Sequence, residues 1–455
     1  MTTARDTVRA GKGGAIWPLA LALTLRVIAW FAVSPSRFAS DEDSYFVAAG
    51  ALLHGEQDLF WPPVTGWLIA AARWILRSDS VATIRLVWIG LDLGCLLAIA
   101  TLARRLGAAV FTDDPQQITR LTTLATAGYA LYLPAISHAQ FTTSETPALF
   151  QTLLVLVLLT RPRAGVGTSA AAGLLAGTLS LTRPSLMPLL LVWPVAARRI
   201  ANPSVWRRSA LVFFMAGTLV VGAWVVRNRQ VTGQPIVSNN SAYNLYLGNR
   251  DVYAEDLDLF SPLATREQIE FRRQQWSGQL AYPAGSPAEL QRLALAWIAA
   301  HPGTFARRAV GRLARVFAPK TDVLELAGGE QRAGIFSPTA LVLLSAANAQ
   351  WTVILFGGLL GLAGILRRAP AIGLLLAGTI AGSLVLCLVA IAKPRYSFVF
   401  DPILLLGLAT LLAAPRETTA AINPPAYRVL GVIYVFLGWG WVAWLLFALS
   451  SRMAL

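Results

Sequence analysis

Charge is scarce in this chain, and acids are scarcer than bases. Charged residues fill 13% of its 455 positions, with Asp+Glu at 23 against Lys+Arg at 38. Soluble domains carry roughly twice that fraction of charge, so a soluble globular fold is excluded. Short segments of alternating polar and apolar residues are absent, which excludes a membrane β-barrel. Cysteine is nearly missing: Cys95 and Cys387 each lie inside an apolar run, and no CxxC pair occurs. Neither a zinc site nor a disulfide framework follows, and both read as small core residues. Internal repeats, which many transporters carry, are also lacking. "GLLAGTLSL" (173–181) and "GLLLAGTIAGSL" (373–384) look alike, but nothing around them matches.

Long apolar runs are what the chain has instead. Hydrophobic residues make up 56% of it and the mean hydropathy is +0.58. Runs of about twenty apolar residues recur along the whole length, so the expected fold is an all-α polytopic membrane protein. Spans are expected at roughly 15–34, 81–103, 120–137, 144–160, 168–182, 185–197, 208–226, 339–366, 370–392, 397–413 and 428–448. That is about eleven. The first run lacks a convincing cleavage site and is read as a retained span. Arg5, Arg9 and Lys12 precede it and place the N-terminus in the cytoplasm. The expected inner loops hold Arg104 and Arg105, Arg161 and Arg163, Arg198 and Arg199, Arg207 and Arg208, and Arg367 and Arg368. A net charge of +15 is thus explained by topology and anionic lipid, not by nucleic acid.

This topology divides the chain into an N-terminal membrane module (1–226), a large outer segment (227–338) and C-terminal membrane helices (339–455). The first outer loop, 35–80, is too polar and proline-broken to span. Its "SYFVAAGALLHG" and "VTGWLIAAARWIL" read as helices lying on the membrane interface. In the large segment "SPAELQRLALAWIAAHPGTFARRAVGRLARVF" reads as a helix from a Ser-Pro cap, with a basic stripe of Arg307, Arg308, Arg312 and Arg315.

Against so few acids, "ASDEDSY" (39–45) places Asp41, Glu42 and Asp43 together where the first span leaves the membrane. A solvated loop is one reading, and a catalytic base at the membrane surface is the other. Glu145, in "HAQFTTSETPALF" (138–150), stands at the mouth of the fourth span and is expected to face the same cavity. Two converging carboxylates could serve as base and positioning group, or hold a divalent cation. Cations gather on the same face: Arg183 in "LTRPS", Arg227 beside Asn228 in "VVRNRQ", and Lys393, Arg395 and Tyr396 in "KPRY". Single arginines at span ends usually snorkel to head groups. Three outer clusters run against the positive-inside bias and call for an anionic ligand, for which phosphate suits the guanidinium fork. Tyr45, Trp61 in "FWPPVTGW" and His138 complete the candidate binding residues.

Two charges lie inside expected spans, Arg26 and Asp92. Either costs about 2.5 to 3.5 kcal/mol at a helix centre, so each needs a partner. Their depths below the outer face, about 12 and 16 Å, fit an ion pair that fixes how "ASDEDSY" is presented. Alternatively Arg26 snorkels and Asp92 bonds a neighbouring backbone or hydroxyl group.

"DEDSYFVAAGALLHGE…WPPVTGWLIAAARWIL" resembles the first outer loop of the GT-C glycosyltransferases. The nearer resemblance is to the branch of protein O-mannosyltransferases and lipid A aminoarabinose transferases. "SETPALFQTLLVLVLL", "GLLAGTLSLTRPSLMPLLL", "WVVRNRQVTGQPIVSNNSAYNLYLGN", "AHPGTFARRAVGRL" and "KPRYSFVFDPILLL" follow in the family's order, over about residues 15–410. The resemblance implies a GT-C fold with Asp41 as catalytic acid residue, Glu42 as its acidic neighbour and Glu145 as the acid opening span four. Arg227 and Arg395 match family arginines. Related transferases often carry Lys or His before the Pro-Pro pair, where this chain has Trp61.

The expected activity is that of an inverting glycosyltransferase on the outer face of a bacterial cytoplasmic membrane. By resemblance its donor is a polyprenyl-phosphate sugar, and its acceptor is a lipid, glycan or protein hydroxyl. No cofactor or metal is required, although a divalent cation would be accommodated. The competing readings are a glycolipid transporter or flippase, and a non-catalytic lipid-binding protein. A transporter would want repeats and midplane ionisable groups, whereas the acids here concentrate outside.

Overall fold

The computed structural model describes residues 16–33, 41–55, 59–112, 114–162, 165–196, 198, 203–250, 286–327 and 338–415. The expected span at 428–448 and the basic residues Arg5, Arg9 and Lys12 lie outside the described residues. Every regular element among the described residues is helical, and the chain is a polytopic helical membrane protein. Four helices are long and apolar enough to cross a membrane, and shorter apolar helices accompany them.

The chain enters through α1 (Ile16–Ala32) and then forms two helices in its first loop, α2 (Glu42–Leu53) and α3 (Pro63–Leu76). Pro63 opens α3, where a missing backbone N–H costs nothing. A long helix, α4 (Val81–Val110), follows. Next, α5 (Pro115–Leu131) is capped by Asp114, whose carboxylate accepts the N–H groups of Gln116 and Gln117. The span expected at 120–137 is broken: the chain turns extended at Tyr132 and restarts as α6 (Leu133–His138). Pro134 is the cause, because it has no N–H to return to the carbonyl of Ala130. That carbonyl is taken by the Arg26 guanidinium, and Gln350 bridges the N–H of Leu133 and the carbonyl of Leu131 at 3.0 Å each.

Three further helices, α7 (Glu145–Leu159), α8 (Val166–Thr182) and α9 (Leu189–Ala196), follow. Between α8 and α9 the backbone is extended at Arg183, since a residue before proline avoids the helical region. The split expected at "TRPS" is therefore real. Beyond it lie α10 (Pro203–Thr232) and α11 (Asn239–Gly248). The single helix expected from Ser286 to Phe317 is two, α12 (Pro287–Ala300) and α13 (Pro302–Val316). Pro302 again breaks it, leaving His301 non-helical. The Ser286 hydroxyl does cap α12, accepting the N–H of Glu289 at 3.2 Å.

The described chain closes with α14 (Pro338–Arg368), α15 (Pro370–Leu384) and α16 (Asp401–Ala413). The α-helix of α15 ends well before 392, and α16 starts later than the expected 397. The residues between them form two short 3-10 turns, Leu386–Leu388 and Pro394–Val399. One buried core runs through α4, α5, α7, α14 and α16. There α14 and α16 touch backbone to backbone: a Cβ on Gly361 would collide with the carbonyl oxygen of Gly407. Small residues at such a crossing are what allow helices in lipid to approach closely.

Candidate active site

Four breaks in the helical pattern meet at one place. Asp41 stands immediately before α2, Glu145 is the first residue of α7, Arg183 is the extended joint after α8, and Arg395 lies in the turn before α16. Prolines shape two of these joints, since Pro184 and Pro394 hold the residues before them extended. Arg395 Nη2 donates to Asp41 Oδ2 at 2.6 Å, and its Nε lies 3.3 Å from Glu145 Oε1. Arg183 Nη1 is 2.8 Å from the same Glu145 oxygen. Glu145 is thus clamped between two guanidiniums, while Asp41 faces one.

Their exposure differs in a way that matters. The Asp41 side chain is 33% exposed and the Glu145 side chain 3%. Burial would raise the Asp41 carboxyl, but the Arg395 and Lys393 charges outweigh it and hold the group below its ordinary value. Asp41 is therefore an ionised, reachable carboxylate, and Glu145 an internal counter-charge. Lys393 is exposed at the rim. Tyr396 offers its ring to Arg183, whose guanidinium carbon is 5.0 Å from the centroid. Burial pushes the Tyr396 phenol up to about 12, so it stays protonated.

Tyr45 lies one turn into α2, beneath Asp41, and its phenol is pushed up by burial and then by the Glu145 and Asp41 charges. Its ring packs on Trp61 with centroids 4.5 Å apart. His138 is buried with Nε2 3.6 Å from Asp322 Oδ2, beyond hydrogen-bond reach, and its ring lies 4.3 Å from that of Phe398. Among the described residues no group of three or more His, Cys, Asp or Glu is placed to hold a metal ion.

Three of the candidates are elsewhere. Glu42, next to Asp41 in sequence, points the other way and is fully buried. Both its oxygens are held by Arg85, at 3.1 and 2.6 Å, and Thr142 donates its N–H and hydroxyl to one of them. One helical residue is about 100° of rotation, which is enough to separate the two acids. Asn228 is also fully buried, donating to the carbonyl of Ile236 at 2.9 Å, so it fixes the turn after α10. Arg227 stacks over Trp224 at 4.7 Å, in a separate shallow cleft lined by Trp61, Trp67 and Trp224. Trp61 is the residue shared by the cleft and the Tyr45 wall.

Arg26 and Asp92 are paired, Nε to Oδ2 at 2.8 Å, and both are fully buried. The Tyr129 hydroxyl donates to the other Asp92 oxygen at 2.6 Å. Sequence reading had not singled out a second buried pair close to the site. Lys320 Nζ lies 2.8 Å from Asp401 Oδ2 and donates to Ser397, and the Tyr132 hydroxyl donates to the same Asp401 oxygen at 2.8 Å. The signal was present, since Asp401 is an acid opening an apolar run, as Glu145 is. Asp322 and Arg85 were also missed. The basic stripe of α13 turns inward at Arg312, which is fully buried.

No family model matches the chain, and no curated protein matches it in sequence. Among solved structures it is similar to the oligosaccharyltransferase of Archaeoglobus fulgidus in complex with zinc and sulfate. The identity is 14% over 96% of this chain and 51% of that one, with a TM-score of 0.48. The same enzyme tethered to an acceptor peptide containing the NVT sequon gives 12% identity, 96% and 55% coverage and a TM-score of 0.46. ArnT from Cupriavidus metallidurans bound to undecaprenyl phosphate gives 14% identity, 88% and 78% coverage and a TM-score of 0.40. The chain spans about half the length of the oligosaccharyltransferase.

Proposed function

We propose that this protein is an inverting GT-C glycosyltransferase of the bacterial cytoplasmic membrane. It moves a sugar from a polyprenyl-phosphate carrier to an acceptor hydroxyl on the extracytoplasmic face. The observation that carries this reading is the Asp41–Arg395–Glu145–Arg183 cluster, in which one reachable carboxylate shares a guanidinium with a buried one. The motif resemblance supports the donor class, and the phosphate-matching geometry of the guanidinium fork supports it independently.

In the proposed reaction Asp41 takes the proton of the acceptor hydroxyl as its oxygen attacks the anomeric carbon. The bond from that carbon to the phosphate oxygen breaks, the configuration inverts, and polyprenyl phosphate leaves. Arg395 and Arg183 receive the charge that develops on the phosphate. Lys393 at the rim assists capture of the head group. Tyr45 and Trp61 form an aromatic wall beside the transferred sugar, and Glu145 holds the two arginines in register.

The test is turnover by purified protein supplied with a polyprenyl-phosphate sugar and a membrane extract as acceptor source, read as released carrier phosphate. Wild-type protein should release it. Asp41→Asn should lose about 10²–10⁴-fold, the share of a positioned base, while remaining folded. A variant with near-normal turnover removes Asp41 as the base. Carrier movement across vesicles without phosphate release would make the protein a transporter.

A further inference from the structure

Arg395 sits on a stretch that cannot hold itself in place. Between α15 and α16, residues 385–400 form two 3-10 turns, and Arg395 belongs to the second. Short turns of this kind have few hydrogen bonds of their own and poor geometry. External tethers must fix them, and the strongest come from the 227–338 segment. Arg312 of α13 donates from Nη1 to the carbonyls of Leu388 at 2.8 Å and Val389 at 3.2 Å. Its Nη2 donates to the carbonyl of Gly248 and, at 3.0 Å, to Asn249 Oδ1. Asn249 closes the loop by donating to the Val389 carbonyl at 2.7 Å. Four residues past the end of α13, Lys320 grips the second turn. Its ammonium donates to Ser397 Oγ, two residues from Arg395, and to Asp401 Oδ2 at 2.8 Å. It also lies 3.9 Å from the centroid of the Trp351 ring.

We propose that Lys320 is a positioning residue which, with Arg312, straps the 385–400 stretch so that Arg395 reaches Asp41 and Glu145. Arg312, near the C-terminal end of α13, holds the first turn and Lys320, just beyond that same end, holds the second, with Arg395 between the two grips. The 227–338 segment thereby helps set the position of the Arg395 guanidinium. Both grips end on backbone carbonyls, a hydroxyl and an internal carboxylate, none of which is a group that would meet substrate. Their role is placement. The consequence for transfer rests on the reading of Arg395 as a phosphate ligand; the placement itself does not.

The experiment measures Asp41 directly. The charged groups facing it are Arg395, Lys393 and Glu145; Arg395 and Lys393 lie on the strapped stretch, and Glu145 does not. Carbodiimide modification of Asp41, mapped by mass spectrometry against pH, reports where the carboxyl takes up its proton. Arg395→Ala is the control and should move that limb upward by about one pH unit, as expected on losing an adjacent guanidinium. Lys320→Met should move it in the same direction, and Ser397→Ala by less, since it cuts the hydroxyl contact and keeps the ion pair. Ser397→Ala decides the matter if Lys320→Met does not accumulate folded. In turnover, Lys320→Met should raise the donor KM about tenfold, the weight of one charge-assisted contact. A limb at the wild-type position in both variants, with the Arg395→Ala control shifted, overturns the strap. If the limb moves but the wild-type protein transfers no sugar, the strap stands and the transferase reading fails.

Discussion

Replacing Arg26 by leucine removes one member of a fully buried pair and leaves Asp92 charged in the middle of the helix bundle. Two scales converge on the size of the effect. A lone charge at a helix centre costs about 2.5–3.5 kcal/mol on insertion, and breaking a buried ion pair by removing one partner costs about 3–5 kcal/mol. The Tyr129 hydroxyl still donates to Asp92, which argues for the lower end. Against it, the carbonyls of Ala130 and Tyr129 lose the Arg26 guanidinium, and the first has no helical donor because of Pro134. The Tyr129 carbonyl keeps the Tyr132 N–H at 3.2 Å, so only the Ala130 carbonyl adds the cost of a lost donor, about 1–3 kcal/mol. A loss of about 4 kcal/mol is the balance. It should appear as a fall of about 4 °C in melting temperature in detergent, the slope being shallow for a long chain. Adding Asp92→Leu removes the stranded carboxylate and should restore part of the loss, but not the share due to the Ala130 carbonyl. Activity per folded molecule should follow the same order. An Arg26→Leu protein melting within 1–2 °C of wild type, or a double variant less stable than the single one, would refute the reasoning.

Glu42→Gln should lower stability by about 3 kcal/mol, because it leaves the buried Arg85 without its counter-charge. Turnover of the fraction that folds should fall far less than in Asp41→Asn; equal losses would return Glu42 to the chemistry. Because the Asp41 carboxyl is held below its ordinary value of 3.8, it is ionised throughout the neutral range. Its pairing stabilises the folded state above 3.8 and is lost as pH falls through the lower folded value. A pH–rate profile should therefore stay flat from neutrality into the acid range, and a carboxylate limb above 3.8 would contradict the pairing. Gly361→Ala should cost about 1–3 kcal/mol by forcing α14 from α16; an unchanged melting temperature would show that the crossing has slack.

The helices, the prolines that interrupt them and the acids at their ends were legible because each obeys a local rule. Apolar runs gave the spans, and "TRPS" and "KPRY" marked the joints that present Arg183 and Arg395. Depth along the helix was also legible, so Arg26 and Asp92 could be matched before any contact was known. Direction was not. Asp41 and Glu42 are neighbours in sequence, yet the α2 helix sends one to the site and the other to Arg85. Nothing in "DED" says which way the helix is turned. Proline breaks inside longer patterns were underweighted at Pro134 and Pro302, and the first created backbone groups that side chains then had to satisfy. Lys320 and Asp401 were overlooked because their meaning lies in a pairing 81 residues apart. No local pattern announces such a pair.

The proposed chemistry also explains why one arginine bridges Asp41 and the phosphate site. Before reaction the donor carries a phosphodiester with one negative charge, and Asp41 is a carboxylate with another. As the acceptor proton passes to Asp41, that charge disappears. As the carbon–oxygen bond breaks, the phosphate becomes a monoester and gains one. Total charge in the cluster is unchanged, but it has moved from the carboxylate to the leaving group. A guanidinium 2.6 Å from Asp41 is a partner that charge is leaving, and a phosphate seated beside Arg395 is one that charge is reaching. Arg395 has several donors in a fixed fork, so it can shift its strongest bond from one to the other without moving its own charge. Its hold on the phosphate strengthens only as the transition state forms, which is the condition for raising kcat instead of merely tightening donor binding. A lysine in its place would supply the charge without the fork. Arg395→Lys should therefore preserve donor KM better than kcat, and Arg395→Ala should damage both. Turnover of Arg395→Lys equal to wild type would show that charge alone is sufficient there, and the shared-fork argument would fall.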